Sequence, residues 1–269
     1  MEVHIDMKHA AGRTLPARLG GRWILTGLCS LAIGSSLMAC QVPVFRYALE
    51  RWSPDQYRIL VLSEGPLDAE HQAGLKAQAG TVERPGQAAI QVHDVTTTQD
   101  AFVKQLWKRL GTAAGPQMVV LYPEKSSIDA GQVAFSSPLS AQAVAQVADS
   151  PVRTEIISRM SAGHSAVWIL LESGDAARDE AALKTLQAQL EKDAEWLQLP
   201  TPEEMEISPE LLNSTKIPLK IQFSVISVKR DDPRERFLAD SLLNSESDLR
   251  EFDEPMAFPV FGRGRVLYA

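Results

Sequence analysis

Short apolar runs alternate along this chain with segments of helical spacing, and that alternation limits the possible folds more than any other feature. Strand-like runs fall at 57–62, 88–95, 117–122 and 132–136. Helical patterns fall at about 67–79, 99–110 and 140–148, with Ser63-Glu64-Gly65-Pro66 turning the first strand into the first helix. A second series follows: a helix over 151–160, a strand over 166–172 expected to be wholly buried, and a long helix over 175–197 capped by Ser173 or Asp175. It continues with an alternating strand over 219–228 and a helix over 233–243 with Pro in its first turn. Strands over 256–261 and 265–268, joined by Gly262-Arg263-Gly264, complete it. Strands alternating with helices in this way predict an α/β architecture.

The first series has the order βαβαββα and the second βαβαββ. Both follow the order of a thioredoxin-like domain, so the expected fold is two tandem thioredoxin-like units, 57–149 and 150–269, the second without its last helix. The runs 59–65 and 169–175 resemble each other, and Leu75-Lys76 and Leu183-Lys184 fall at matching points beyond them. A duplication is expected on that basis. The Pro- and Glu-rich stretch 200–209 is expected to be an inserted loop or linker.

Ahead of both series stands a leader. Lys8, Arg13, Arg18 and Arg22 form a basic region, an apolar stretch runs over 23–37, and Leu37-Met38-Ala39-Cys40 closes it. These are the parts of a secretory signal, and the apolar stretch is short and Gly- and Ser-bearing for a membrane span, which needs roughly 20 apolar residues. A cleaved lipoprotein signal peptide over 1–39 is therefore expected, with Cys40 as the lipidated first residue and a membrane-proximal segment over 40–56. Cleavage would expose the mature protein to the periplasm or exterior, held at the membrane by acyl chains.

Cleavage leaves about 230 of the 269 residues, enough for one large domain or two small ones with real cores. The leader carries four Lys/Arg and two Asp/Glu, so its loss takes the net charge from −7 to −9. So acidic a chain disfavours nucleic acid as a partner and disfavours an electrostatic hold on anionic lipid, so anchoring is expected to rest on the acyl chains. The chain's two cysteines are Cys29 in the leader and Cys40. Disulfides, CxxC redox chemistry, a Cys nucleophile and thiolate metal sites are together excluded from the mature domain.

Other constellations are sparse. In a thioredoxin-like fold the working position is the first strand-to-helix turn, where unpaired backbone N–H groups face a bound group. Those turns carry Ser63, Glu64 and Gly65 in the first series and Ser173, Gly174 and Asp175 in the second. A Ser at a helix start is foremost a cap. His71, His93 and His164 are scattered, without HExxH or helical ligand spacing, and are expected to be solvated loop residues. No metal and no cofactor is implied, and no GxSxG elbow, P-loop or dinucleotide fingerprint is present. Arg263 and Arg265 lie on a hairpin rather than before a helix, exposed to solvent or to an acidic partner. The aromatic and basic segment 43–52 is expected to pack on the domain in preference to lying at the membrane surface.

The run Cys40-Gln41-Val42-Pro43-Val44-Phe45-Arg46-Tyr47-Ala48-Leu49-Glu50-Arg51-Trp52 and the run Phe258-Pro259-Val260-Phe261-Gly262-Arg263-Gly264-Arg265 resemble a family of uncharacterised bacterial envelope lipoproteins. Residues 149–153 and 166–175 share that resemblance. It implies an envelope location and no activity, and members continue beyond the region of Tyr268, leaving an early stop open. The expectation is a non-catalytic, lipid-anchored binding or scaffolding component of a membrane complex such as a transporter, with an envelope protein as partner. Its contact candidates are Ser63, Glu64, Ser173, Asp175, Arg263 and Arg265. The alternative is a cysteine-free, hydrolase-like enzyme using Ser63, Ser173 or Asp175 with a His.

Overall fold

In the computed structural model the described residues are 43–53, 55–82, 88–111, 115–126, 128–129, 131–199, 201, 204 and 217–266. The signal peptide, Cys40, most of the 200–209 stretch and Tyr268 lie outside them. Residues Val42–Ala269 group into one compact unit.

The chain begins with helix α1 (Val44–Arg51) and continues through β1 (Tyr57–Ser63), α2 (Ala69–Val82), β2 (Ala88–Asp94), α3 (Ala101–Leu110), β3 (Gln117–Leu121), β4 (Val133–Pro138) and α4 (Ala141–Ala148). Then come α5 (Pro151–Ser161), β5 (Ala166–Glu172), α6 (Ala176–Trp196), β6 (Phe223–Lys229), α7 (Arg236–Leu243), a 3-10 turn (Leu249–Glu251), β7 (Met256–Phe261) and β8 (Arg265–Val266). The strands form two four-stranded mixed sheets with orders β2-β1-β3-β4 and β6-β5-β7-β8. In each, the first two strands in sequence pair in parallel and the remaining pairings are antiparallel. The molecule is thus mixed α/β, with one pairing scheme used twice.

Local chemistry sets the helix starts. The Asp100 carboxylate accepts from the N–H groups of Phe102 and Val103, Ser140 from Ala143, Ser150 from Arg153 with Pro151 following, and Asp175 from Ala177 and Arg178. Each side chain satisfies N–H groups that have no partner inside the helix. Pro233, expected in the first turn of a helix, lies outside it. Asp232 accepts from the Arg234 N–H through its carboxylate and from the Glu235 N–H through its carbonyl, forming a turn that delays α7 until Arg236. The strand expected from 219 begins at Phe223, because 220 and 222 are engaged by Ser165, whose hydroxyl donates to the Lys220 carbonyl and accepts from the Gln222 N–H.

Strand alternation splits β1 between two cores. Ile59 and Val61 pack with Leu75 and Val82 of α2 and Val144 and Val147 of α4, whereas Leu60 and Leu62 pack with Val103 and Leu106 of α3. In the second sheet Val167, Ile169 and Leu171 pack with Ile156 and Met160 of α5 and with Leu238, Ala239 and Leu242 of α7. The helix after the second strand therefore covers Leu60 and Leu62 in one sheet and Ile169 and Leu171 in the other. Strand bounds 57–63 and 166–172 correspond end to end, which sets Leu60 against Ile169. The sequence match of Ile59 with Ile169 is one residue out of register, a slip that inverts the faces.

Helix α7 joins the halves. Phe237 enters the first core, edge-on to Tyr57 and Phe135 with centroids 5.3 and 5.9 Å away, while Leu238, Ala239 and Leu242 enter the second. Around it the Tyr122 hydroxyl donates to the Ser241 carbonyl, Asn244 Nδ2 donates to the Ala134 carbonyl at 2.8 Å, and Gln146 Nε2 donates to the Pro233 carbonyl at 2.8 Å. Glu235, 2% exposed, accepts from the Ser150 hydroxyl at 2.5 Å and from the Val152 N–H at 2.9 Å, so its carboxylate sits on the start of α5. Beside it Arg153 lies 5.2 Å over the Phe237 ring and donates to the Val147 carbonyl. Burial pulls the Arg153 guanidinium down from its ordinary value and pushes the Tyr57 and Tyr122 phenols up.

Candidate functional site

Three places hold the residues singled out by sequence. The first is the turn after β1. Ser63 is buried, and its hydroxyl donates to the Gly65 carbonyl at 2.8 Å. The Gly65 N–H donates to Asp94 Oδ1 at 3.1 Å, and the same oxygen takes the Thr96 N–H and hydroxyl. Led by the Thr96 hydroxyl, these donors hold the Asp94 carboxyl below the usual carboxylate range. Glu64 is exposed.

The second place is the turn after β5, closed by a different route to the same end. Asp179, one turn into α6, accepts from the Ser173 N–H and hydroxyl at 2.7 Å each and from the Gly174 N–H at 3.1 Å. Asp175 caps the helix, and the Arg178 N–H is the largest influence lowering its carboxyl. N–H groups that would otherwise be offered to an anion are thus taken up by an acidic side chain of this chain at both turns.

Among the described residues no Ser–His hydrogen bond forms at either turn. His93 is the register partner of Leu62, so it points from the sheet face opposite to Ser63. His164 lies at the start of β5 and Ser173 beyond its end, more than ~20 Å apart along an extended strand. The solvated reading of the histidines needs correcting for two of them. His164 Nδ1 lies 2.9 Å from the Ser224 hydroxyl, and burial, helped by Lys220 and Arg159, holds its pKa down. His93 is half-buried, with Nε2 shielded from water. His71 Nδ1 sits 2.8 Å from Asp68, next to the start of α2. Among the described residues no three His, Cys, Asp or Glu side chains converge as metal ligands, and no helix is long and apolar enough to cross a membrane.

The third place is the β7–β8 hairpin with α1. Gly262 and Gly264 take φ values of +58° and +88°, as the tight turn requires. Arg263 Nε donates to the Leu49 carbonyl at 2.8 Å and Nη2 to the Glu50 carbonyl at 3.2 Å, at the end of α1 where helix carbonyls lack partners. Arg265 pairs with Asp55 at 3.0 Å and lies 4.6 Å over the Trp52 ring, which meets Phe261 edge-on at 5.6 Å. Both guanidinium groups therefore work within the chain, clamping α1 and Trp52 to the second sheet. Sequence alone placed these arginines on a hairpin but gave no sign that residues some 210 positions earlier would receive them. Buried Arg46 completes the clamp, with Nη1 donating to the Ile217 carbonyl at 2.8 Å.

One feature without a sequence signal is an open cleft of about 390 Å³ at the junction of the halves, lined by Arg109, Gln132, Asn244, Glu246, Ser247 and Arg250. Arg250 is tied there to Asn244 and Asp240, each at 2.6 Å. The three places thus hold two closed turns and a clamped helix, and the cleft, which Val133 and Leu243 also line, is a separate open feature. No model of a known protein family matches the sequence, and no curated protein matches it.

Proposed function

We propose that this chain is a lipid-anchored envelope protein of two tandem thioredoxin-like units that acts without catalysis, as a binding or scaffolding component of a membrane complex. The shared strand order and pairing of the two sheets support the tandem reading. The leader ending in Cys40 supports the anchor. The observation that carries the non-catalytic reading is the closure of both strand-to-helix turns. Where thioredoxin-like chemistry would operate, Ser63 and Ser173 stand in place of a thiol, and Asp94 and Asp179 take the backbone donors.

Two experiments test it. Growth with a labelled fatty acid should mark the full-length protein and not its Cys40→Ala variant; label persisting in the variant overturns the anchor. In-cell crosslinking of the anchored protein should then recover one defined envelope partner, with the crosslink lost on changing exposed Glu64 to Lys. Recovery of only abundant unrelated proteins overturns the scaffolding role.

A further inference from the structure

We propose that the outward stripe of α1, formed by Val44, Tyr47 and Arg51, rests on the lipid surface and fixes which side of the body faces the membrane. The proposal rests on the anchoring reading and adds an orientation to it. Cys40 precedes Pro43 by three residues, so an acyl chain there holds the start of α1 within ~10 Å of the bilayer. A helix on a slack tether would carry no orientation to the body, but α1 is not slack. Ala48 is fully buried against Gly262, Arg46 reaches the Ile217 carbonyl, and Arg263 grips the carbonyls of Leu49 and Glu50. The space left beneath the helix, among Phe45, Leu49, Met160 and His164, holds about 10 Å³, room for no more than one water. Whatever α1 touches therefore orients the second sheet as well.

The free face of α1 has the chemistry of the water–lipid boundary. Positions 44, 47 and 51 follow i, i+3, i+7 spacing and form one stripe. Val44 is 69% exposed and Tyr47 42%, and Arg51 is exposed at the far end. An aliphatic side chain, a tyrosine with a polar tip and a long cationic side chain are the types that settle at a headgroup region. Glu50 is the acid on this side, and Arg46 pairs with it at 2.5 Å. Exposed Arg263 adds a second cation nearby. The mature body carries about −9 and is repelled by anionic lipid elsewhere, so a locally basic face beside the anchor is where it can approach.

The test places photo-crosslinking benzoylphenylalanine singly at Val44, Tyr47 or Val92 of the full-length protein. Val92 is an exposed apolar residue on β2, the edge strand of the first sheet, and serves as the control. The anchored protein is reconstituted into phosphatidylethanolamine–phosphatidylglycerol vesicles, illuminated, and its phospholipid adducts weighed. Several-fold more adduct at positions 44 and 47 than at 92 is expected, falling when Arg51→Glu is added. Equal yields at the three positions, or none at 44 and 47 in vesicle-bound protein, overturn the orientation while the anchor stands. An N-terminal peptide with unacylated Cys40 overturns the anchor instead. The orientation is then judged separately by coupling the leaderless chain through its single thiol, Cys40, to maleimide lipid in the same vesicles and repeating the crosslinking.

Discussion

A methyl group added to Gly262 would lie 2.7 Å from Cβ of Ala48, closer than two side-chain carbons ordinarily approach. The turn of the closing hairpin and the helix that opens the described chain meet there with no atom to spare. Gly262→Ala meets two penalties, the contact and a φ of +58° that disfavours any side chain. The variant is expected to lose about 2 kcal/mol of stability, within the range of overpacked sites. Protease cleavage near residues 49–53 should appear under conditions where the parent resists, and Gly264→Ala, which carries the penalty of a φ of +88° but meets no neighbouring atom, should cleave less.

Phe237→Ala tests whether the two sheets unfold as one. The ring is 2% exposed and is supplied to the first core by a helix that otherwise builds the second. Its removal should cost about 3–5 kcal/mol, the usual range for a buried Phe. Calorimetry should show one transition moving down as a whole. Two separating transitions would show that α7 does not couple the halves.

Glu235 caps α5 from across the junction, and its variants should rank by how many partners they strand. Glu235→Gln keeps an acceptor for the Val152 N–H and is expected to lose about 1 kcal/mol, whereas Glu235→Leu leaves that N–H and the Ser150 O–H without an acceptor and should lose about 2–4 kcal/mol. Denaturant melts of the two variants measure the difference directly. Equal losses would mean that packing, not hydrogen bonding, sets the role of Glu235.

Stability should fall in two acid windows. His164 titrates below its ordinary 6.5 in the folded protein, so under pH 6.5 the unfolded chain binds more protons than the native one. Stability therefore falls as pH drops through 6.5 and levels once pH passes the folded value. His164→Gln should flatten that slope, read as melting temperature from about pH 7.5 to about pH 5.5. A lower window opens as pH falls below 3.8, because Asp94, Asp175 and Asp179 are held below that value by hydrogen bonds to their ionised forms. Their contribution is present above it and disappears as they protonate. Asp179→Asn should shrink the lower window and leave the upper one unchanged.

Much of the fold was legible in the chain because it is written in short-range terms. The strand over 166–172 and the cap at Asp175 are local matters of an apolar run and of a side chain that accepts from N–H groups two and three residues on. The start of α7 was misplaced because Pro233 suits both a first helical turn and a preceding turn, and Asp232 decides between them. The strand bounds set Leu60 against Ile169 where the sequence likeness pairs Ile59 with Ile169, because the runs 59–62 and 169–171 are apolar throughout and carry no alternation from which to tell their faces apart.

The sequence by itself determined the strand and helix order from β1 onward, the absence of a thiol beyond Cys40, and the residues available at each turn, since these depend on neighbours along the chain, whereas the segment 43–52 showed its helix only in the structure. Only the tertiary structure decided what those residues do. Asp94 comes from the end of β2 to close the turn after β1, Glu235 reaches the start of α5 from some 85 residues away, and Arg263 and Arg265 turn from an exposed hairpin to hold α1 and Trp52. Each of these partners is chosen by where sheets and helices bring distant side chains together, and hydrogen bonds and ring contacts form by distance in space whatever the separation in sequence.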